Sequence, residues 1–165
     1  MNNSRRQYSN ATGRVAEVRF VRSARNKGLH VTKSTHTEDI HEHIDYWLAM
    51  SPNGKRWGVD VKGNNLPDEI WCEFKNVRGN DGWMYGGATI IAFDMPEEGG
   101  FAIVDREELA FFCEKHVSNE VVTDKRQAYL KKYTRKDRMD VITILKLHDL
   151  KSLMSYRVWD YDQRY

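Results

Sequence analysis

The segment Asp45-Tyr46-Trp47-Leu48-Ala49-Met50-Ser51-Pro52-Asn53-Gly54-Lys55-Arg56-Trp57-Gly58-Val59-Asp60-Val61-Lys62 reads as two strands joined by a tight turn. Residues 44–49 are apolar and aromatic around one acid, and Ser51-Pro52-Asn53-Gly54 is a turn signal. Residues 57–62 form the second strand. Side chains two apart on a strand share a face, so Asp60 and Lys62 point together. The hairpin brings Asp45 alongside them. Two carboxylates and an ammonium on one surface are a poor choice for a core. They suit a hard divalent cation such as Mg²⁺, which takes oxygen ligands.

Working outward, Val15, Val18, Val21 and Ala24 recur every three residues with Phe20 beside them. This predicts a helix over 13–27 ended by Gly28, with Glu17 at the edge of the buried stripe. Strands are expected at 29–32, 44–49, 57–62, 70–77, 89–93, 101–104 and 141–147, with a break at Gly63–Pro67. Asp105 is expected to cap a helix to about His116, with Leu109, Phe112 and Cys113 inward. A short helix is expected near 149–154. Residues 1–12 read as a flexible basic arm and 13–165 as one α/β domain.

In element order and residue placement, the region 13–95 resembles the PD-(D/E)xK nuclease superfamily, particularly its restriction-endonuclease-like and Holliday-junction-resolvase-like members. Glu17 matches the helical acid, Asp45 the strand acid, and Asp60-Val61-Lys62 the signature tripeptide. The resemblance implies a restriction-endonuclease-like core, a mixed central β-sheet flanked by helices, over about 13–118, with a C-terminal α/β extension over about 119–165. It also implies a Mg²⁺- or Mn²⁺-dependent deoxyribonuclease, an endonuclease rather than an exonuclease, leaving 5′-phosphate and 3′-hydroxyl ends, with junctions or branched DNA among its substrates. Asp45, Asp60 and the Val61 carbonyl would hold the metal, Lys62 the attacking water, and Glu17 would complete the acidic cluster. The sequence departs from the family in three places. Ile44 precedes Asp45, Asp60 stands for the commoner Glu, and a short Gly-rich stretch, 79–87, replaces a crossover helix. Glu73-Phe74-Lys75 offers a competing register in which Asp60 becomes the strand acid, with Glu73 and Lys75 as secondary site residues. The other reading is a nucleic-acid-binding accessory protein with the same fold and no turnover. A third is an interaction protein whose acidic middle meets a basic partner.

Charge patterning fits a polyanion partner. The chain has 165 residues and a formal net charge of +2. By position, residues 1–37 carry +7, residues 38–118 carry −9 and residues 119–165 carry +4. Basic flanks around an acidic centre suit DNA held by its phosphates and a cation held in the middle. Arg14, Arg19 and Arg22 on the first helix are the expected DNA contacts. So are Lys125, Arg126, Lys131, Lys132, Arg135, Lys136 and Arg138, with Tyr129 and Tyr133 interleaved. A solvated linker is the plainer reading of that run.

The remaining signals are weaker. His41, His43 and Asp45 alternate, with His36 nearby, which would suit a transition metal if the strand starts early. Trp83 and Tyr85 read as core aromatics, with a base-stacking platform as the alternative. The Gly-rich stretch lacks the spacing of a phosphate or dinucleotide loop, so no nucleotide cofactor is expected. Cys72 and Cys113 are too few for a disulfide framework, and residues 1–6 show no apolar targeting segment. No run approaches a membrane span, so a cytoplasmic protein is expected. A homodimer would present two centres to two strands.

Overall fold

The computed structural model describes residues 3–63 and 66–161. Helix α1 (Asn3–Asn26) leads to β1 (His30–Lys33), α2 (His36–Glu42), β2 (Tyr46–Ala49) and β3 (Arg56–Lys62). Then follow β4 (Ile70–Lys75), a 3-10 turn at Trp83–Tyr85, β5 (Ile90–Met95), β6 (Gly100–Asp105) and α3 (Arg106–His116). The chain continues through β7 (Val121–Val122), β8 (Lys132–Thr134), β9 (Val141–Leu145), α4 (Leu147–Lys151) and β10 (Arg157–Asp160). The fold is α/β, with mixed sheets flanked by helices.

Six strands form one sheet in the order β1-β2-β3-β5-β6-β10. Its pairs are antiparallel except β3 with β5, which is parallel. A second sheet, β4-β9-β8-β7, is antiparallel except for β7 with β8. A parallel pair needs a crossover. Here the described residues of the connection hold no α-helix; it detours through β4 in the second sheet and the 3-10 turn Trp83–Tyr85. The sequence places a strand at 70–77 correctly but cannot show that it leaves the first sheet. Residues 119–161 likewise interlock with the rest: β9 pairs with β4, and β10 closes the edge beside β6. The expected break at Gly63–Pro67 includes residues 64 and 65, which lie outside the described residues.

Helix α1 covers one face of the large sheet. It starts at Asn3 rather than Gly13, so residues expected to form a loose arm belong to its first turns, Met1 and Asn2 lying outside the described residues. Its buried stripe is Ala16, Phe20, Ser23 and Ala24, not the valines; Val15 and Val18 are 47% and 70% exposed. The reason is geometric. Residues three apart drift around a helix of 3.6 residues per turn, whereas 16, 20, 23 and 24 stay on one side. The small alanines let the helix approach the sheet, and Phe20 fills the gap. Phe20 packs edge-on to Phe101 and parallel to Trp159, with ring centroids 5.5 and 5.9 Å apart. On the same face Arg19 Nη1 lies 3.2 Å from Asp94, a buried carboxylate that also accepts the Tyr161 hydroxyl.

The opposite face carries Ile44, Ile91, Phe93, Ala102 and Val104 against Ile70, Cys72, Leu145, α3 and α4. Asp105 caps α3 by accepting the Glu108 N–H, and Leu109 and Cys113 point inward as expected, with Phe112 half-buried. The Gly-rich stretch is a close-packed connection. Gly82 N–H bonds the Phe74 carbonyl, and a Cβ on Gly82 would overlap the Glu73 carbonyl. Gly13 has nothing within 4 Å of where its Cβ would sit.

These two glycines therefore separate in a thermal unfolding experiment. Gly82→Ala should destabilise by about 1–3 kcal/mol, since the overlap is with backbone. Gly13→Ala should stabilise by up to about 1 kcal/mol, because alanine is the better helix former. Equal effects from the two variants would contradict the packing described.

Candidate metal centre

Strand β2 begins one residue after Asp45, whose N–H still bonds the Val59 carbonyl at 2.8 Å. One step further along β3, the Val61 N–H points to the same side but meets no strand. The Asp45 carboxylate caps it at 2.7 Å. In a strand, a residue's N–H and C=O point the same way, so the Val61 carbonyl faces this corner too.

Asp60 and Lys62 share the face turned away from α1, since Val59 and Val61 lie in the cluster under the helix. Asp60 is 3% exposed. Burial raises its pKa, against the opposing pull of Lys62 and of the neighbouring Asp45 carboxyl. Lys62 Nζ lies 2.8 Å from Asp60 Oδ2. That oxygen is buried and accepts no directed hydrogen bond, so the contact is ionic only. The same ammonium sits 4.8 Å from the centre of the Trp83 ring. Burial first, and the Asp60 charge second, push Asp45 up to about 7, despite the Val61 N–H and Lys62. Two desolvated carboxyls in contact hold a proton in place of a second charge.

Glu17 approaches from the α1 side, close enough for its charge to act on Asp45. Its Oε2 accepts from the Tyr46 hydroxyl at 2.9 Å and from Lys33 at 3.1 Å. It is thus beside the pair but engaged elsewhere. Burial, then the bond to Glu17, raises the Tyr46 phenol well above its usual range. Among the described residues, no group of three or more His, Cys, Asp or Glu side chains forms a ready-made metal cluster. The donors that do converge are two carboxyls and a carbonyl, all hard oxygens. They fit a cation that keeps most of its own water shell and takes the place of the Lys62 ammonium beside Asp60 Oδ2.

Glu73 reaches the same region from β4. Burial raises its pKa, against the opposing pull of Lys62 and of the Trp83 backbone N–H. Lys75 does not accompany it. The β4–β9 register shifts between Glu73 and Lys75. Glu73 lines a cleft with Lys62, while Lys75 lines a separate one with His41 and His43.

The histidines do not alternate along a strand. His36–Glu42 is helix α2, with Thr35 accepting the Glu38 N–H and Glu38 accepting the Thr35 N–H. His43 is its left-handed C-cap, so His41, His43 and Asp45 share no strand face. Thr35-His36-Thr37-Glu38 is a capping-box signature that the sequence carries in plain view. Burial, then Lys62, lowers the His43 pKa.

The expected phosphate-binding residues divide. Arg14 and Arg22 are exposed on α1, whereas Arg19 is tied to Asp94. In the 125–138 run, acids from elsewhere meet most of the cations. Lys125 pairs with Glu69 at 3.0 Å, Arg126 with Asp124 at 2.6 Å, Lys131 with Glu120 at 2.8 Å, and Arg135 with buried Asp140. Lys132 donates to Asn119 at 2.9 Å. Lys136 and Arg138 are exposed. Within the run the sequence shows one acid, Asp137; Asp124 and Asp140 flank it, and the fold brings in Glu69 and Glu120.

No protein-family model, curated protein or solved structure matches this chain significantly. Among the described residues no helix is long and apolar enough to cross a membrane.

The raised carboxyls give a signed pH effect. Asp45 rises from an ordinary 3.8 to about 7 on folding, so the folded state holds its proton more tightly. That contribution is fully present below about pH 4 and is lost as pH rises through about 7. Asp60 and Glu73 act in the same direction. In EDTA, denaturation across this range should show Asp45→Asn gaining stability relative to wild type as pH rises. A difference that stays flat with pH would contradict the buried carboxyl pair.

Proposed function

We propose that this chain is a metal-dependent nuclease of PD-(D/E)xK type, hydrolysing phosphodiester bonds in DNA. The observation that carries the reading is the convergence of the Asp45 and Asp60 carboxyls at the Val61 corner of β3, with Lys62 beside them. These elements come from a helix and adjacent antiparallel strands, the arrangement the resemblance calls for. The core would then be restriction-endonuclease-like, with β5 running parallel to the strand that carries the tripeptide.

Asp45, Asp60 and the Val61 carbonyl would hold Mg²⁺ or Mn²⁺. When bound, the metal supplies positive charge against the scissile phosphate and lowers the pKa of its water. The chain's own residues prepare the rest. Asp45 fixes the corner by capping Val61 N–H. Its proton must leave before it can act as a ligand, so binding strengthens as pH rises past about 7. Lys62, released from Asp60 once that charge is shared with a cation, is free to orient water or offset developing negative charge. Glu17 stands one position back, restrained by Tyr46 and Lys33, and serves as a positioning acid. Arg14, Lys136 and Arg138 are exposed cations that would meet phosphates.

Plasmid and branched DNA incubated with the protein and Mg²⁺ or Mn²⁺ should be cut, with EDTA abolishing cutting. Asp60→Asn and Lys62→Ala should each lower the rate by about 100-fold or more. Mg²⁺ should also raise the Tm of wild type at pH 8 but not that of Asp60→Asn. No cutting of any substrate by wild type, with DNA binding retained, would favour the non-catalytic accessory reading. Unchanged cutting by both variants would place the centre elsewhere.

A further inference from the structure

Between the two sheets lies a cleft of about 430 Å³. It adjoins the candidate centre through one residue, Lys62, whose ammonium touches Asp60 on one side and Trp83 on the other. Trp71 and Trp83 line it from different elements, and Phe93 lies on the large sheet behind Trp83, ring centroids 6.0 Å apart. Trp71 is held in place: its Nε1–H donates to Glu69 at 2.7 Å, and its ring meets Tyr133 edge-on at 6.1 Å. Arg135 adds a second cation to the lining. Asp140 takes its Nη2, while its Nε is buried without a partner. Glu73 presents a carboxyl to the same space.

We infer that this cleft receives a single unstacked nucleotide next to the scissile phosphate, so the preferred substrate carries unpaired nucleotides at the cleavage point. The inference rests on the nuclease reading above and specifies its substrate. Each part of a nucleotide has a counterpart here. Indole faces stack on any base. Lys62 and Arg135 suit a phosphate, and the Glu73 carboxyl suits the amino group on a base edge. The volume falls within the range of about 300–1,000 Å³ that takes one small ligand. A paired base cannot enter such a cleft without leaving its stack, which costs a few kcal/mol, whereas an unpaired one enters freely. Discrimination therefore comes from the unpairing that the cleft demands.

The test measures binding in EDTA, where no cutting occurs. The probes are a blunt duplex and the same duplex with an unpaired tail. Wild type should bind the tailed duplex about tenfold more tightly, and Trp71→Ala should erase that preference, as loss of one stacked base predicts. A tail carrying 5-iodouracil should photocrosslink to Trp71 or Trp83 of the wild-type protein, a measurement that needs no variant to fold. Equal binding of the two duplexes, or crosslinks confined to residues outside the cleft, would overturn the inference. Tail preference without cutting in Mg²⁺ would support the cleft and sink the nuclease reading. Cutting without tail preference would do the reverse.

Discussion

The Val61 N–H is a backbone donor at the point where its neighbouring strand has run out. Left unpaired, it would carry the cost of a lost hydrogen bond. Asp45 supplies the acceptor from its side chain, one residue before β2 begins. This single bond holds a carboxylate against the sheet edge, in contact with buried Asp60. The raised pKa values follow from that placement, and the ionic contact of Asp60 with Lys62 offsets part of the cost. Asp60 and Lys62 of this site stand on a paired strand, and Asp45 is tied to the same strand by two bonds to Val59 and Val61.

Much of this corner was legible in the sequence. The turn at Pro52–Gly54 and the two-residue spacing of Asp60 and Lys62 are local signals, and local signals set the β2–β3 register. Helix α3 was equally plain, with Asp105 capping it and Leu109 and Cys113 facing inward. The face of α1 is easily misread because Val15, Val18 and Val21 imitate a stripe running to Ala24, while the true stripe joins Ala24 to Ala16, Phe20 and Ser23. The site kept Glu17 at the edge of the buried face, though for a different stripe.

What the sequence hid depends on partners distant along the chain. Glu69 and Glu120 neutralise part of a basic run that reads as free for phosphates. Tyr46 and Lys33 engage Glu17. The second sheet joins β4 to a strand some seventy residues later, and no periodicity in 70–77 announces that. The cleft wall formed by Trp71 and Arg135 was invisible for the same reason. The histidines were lost to a different error: alternation suggested a strand where a capping box had already specified a helix.

The excursion of β4 has a consequence for synthesis on the ribosome. The β1–β3 hairpins, β5 and β6 can pair as they emerge, since each partner is close in the chain. Strand β4 cannot; its partner β9 is made only after residue 141. Until then Ile70 and Cys72 have no strand beside them, and the floor under Trp83 and Phe93 has no opposite wall. The nascent chain therefore acquires its carboxylate corner early and its cleft last. A chain interrupted before β9 would display the acidic pair beside bare aromatic surface, a state suited to capture by chaperones and not to selective work on nucleic acid.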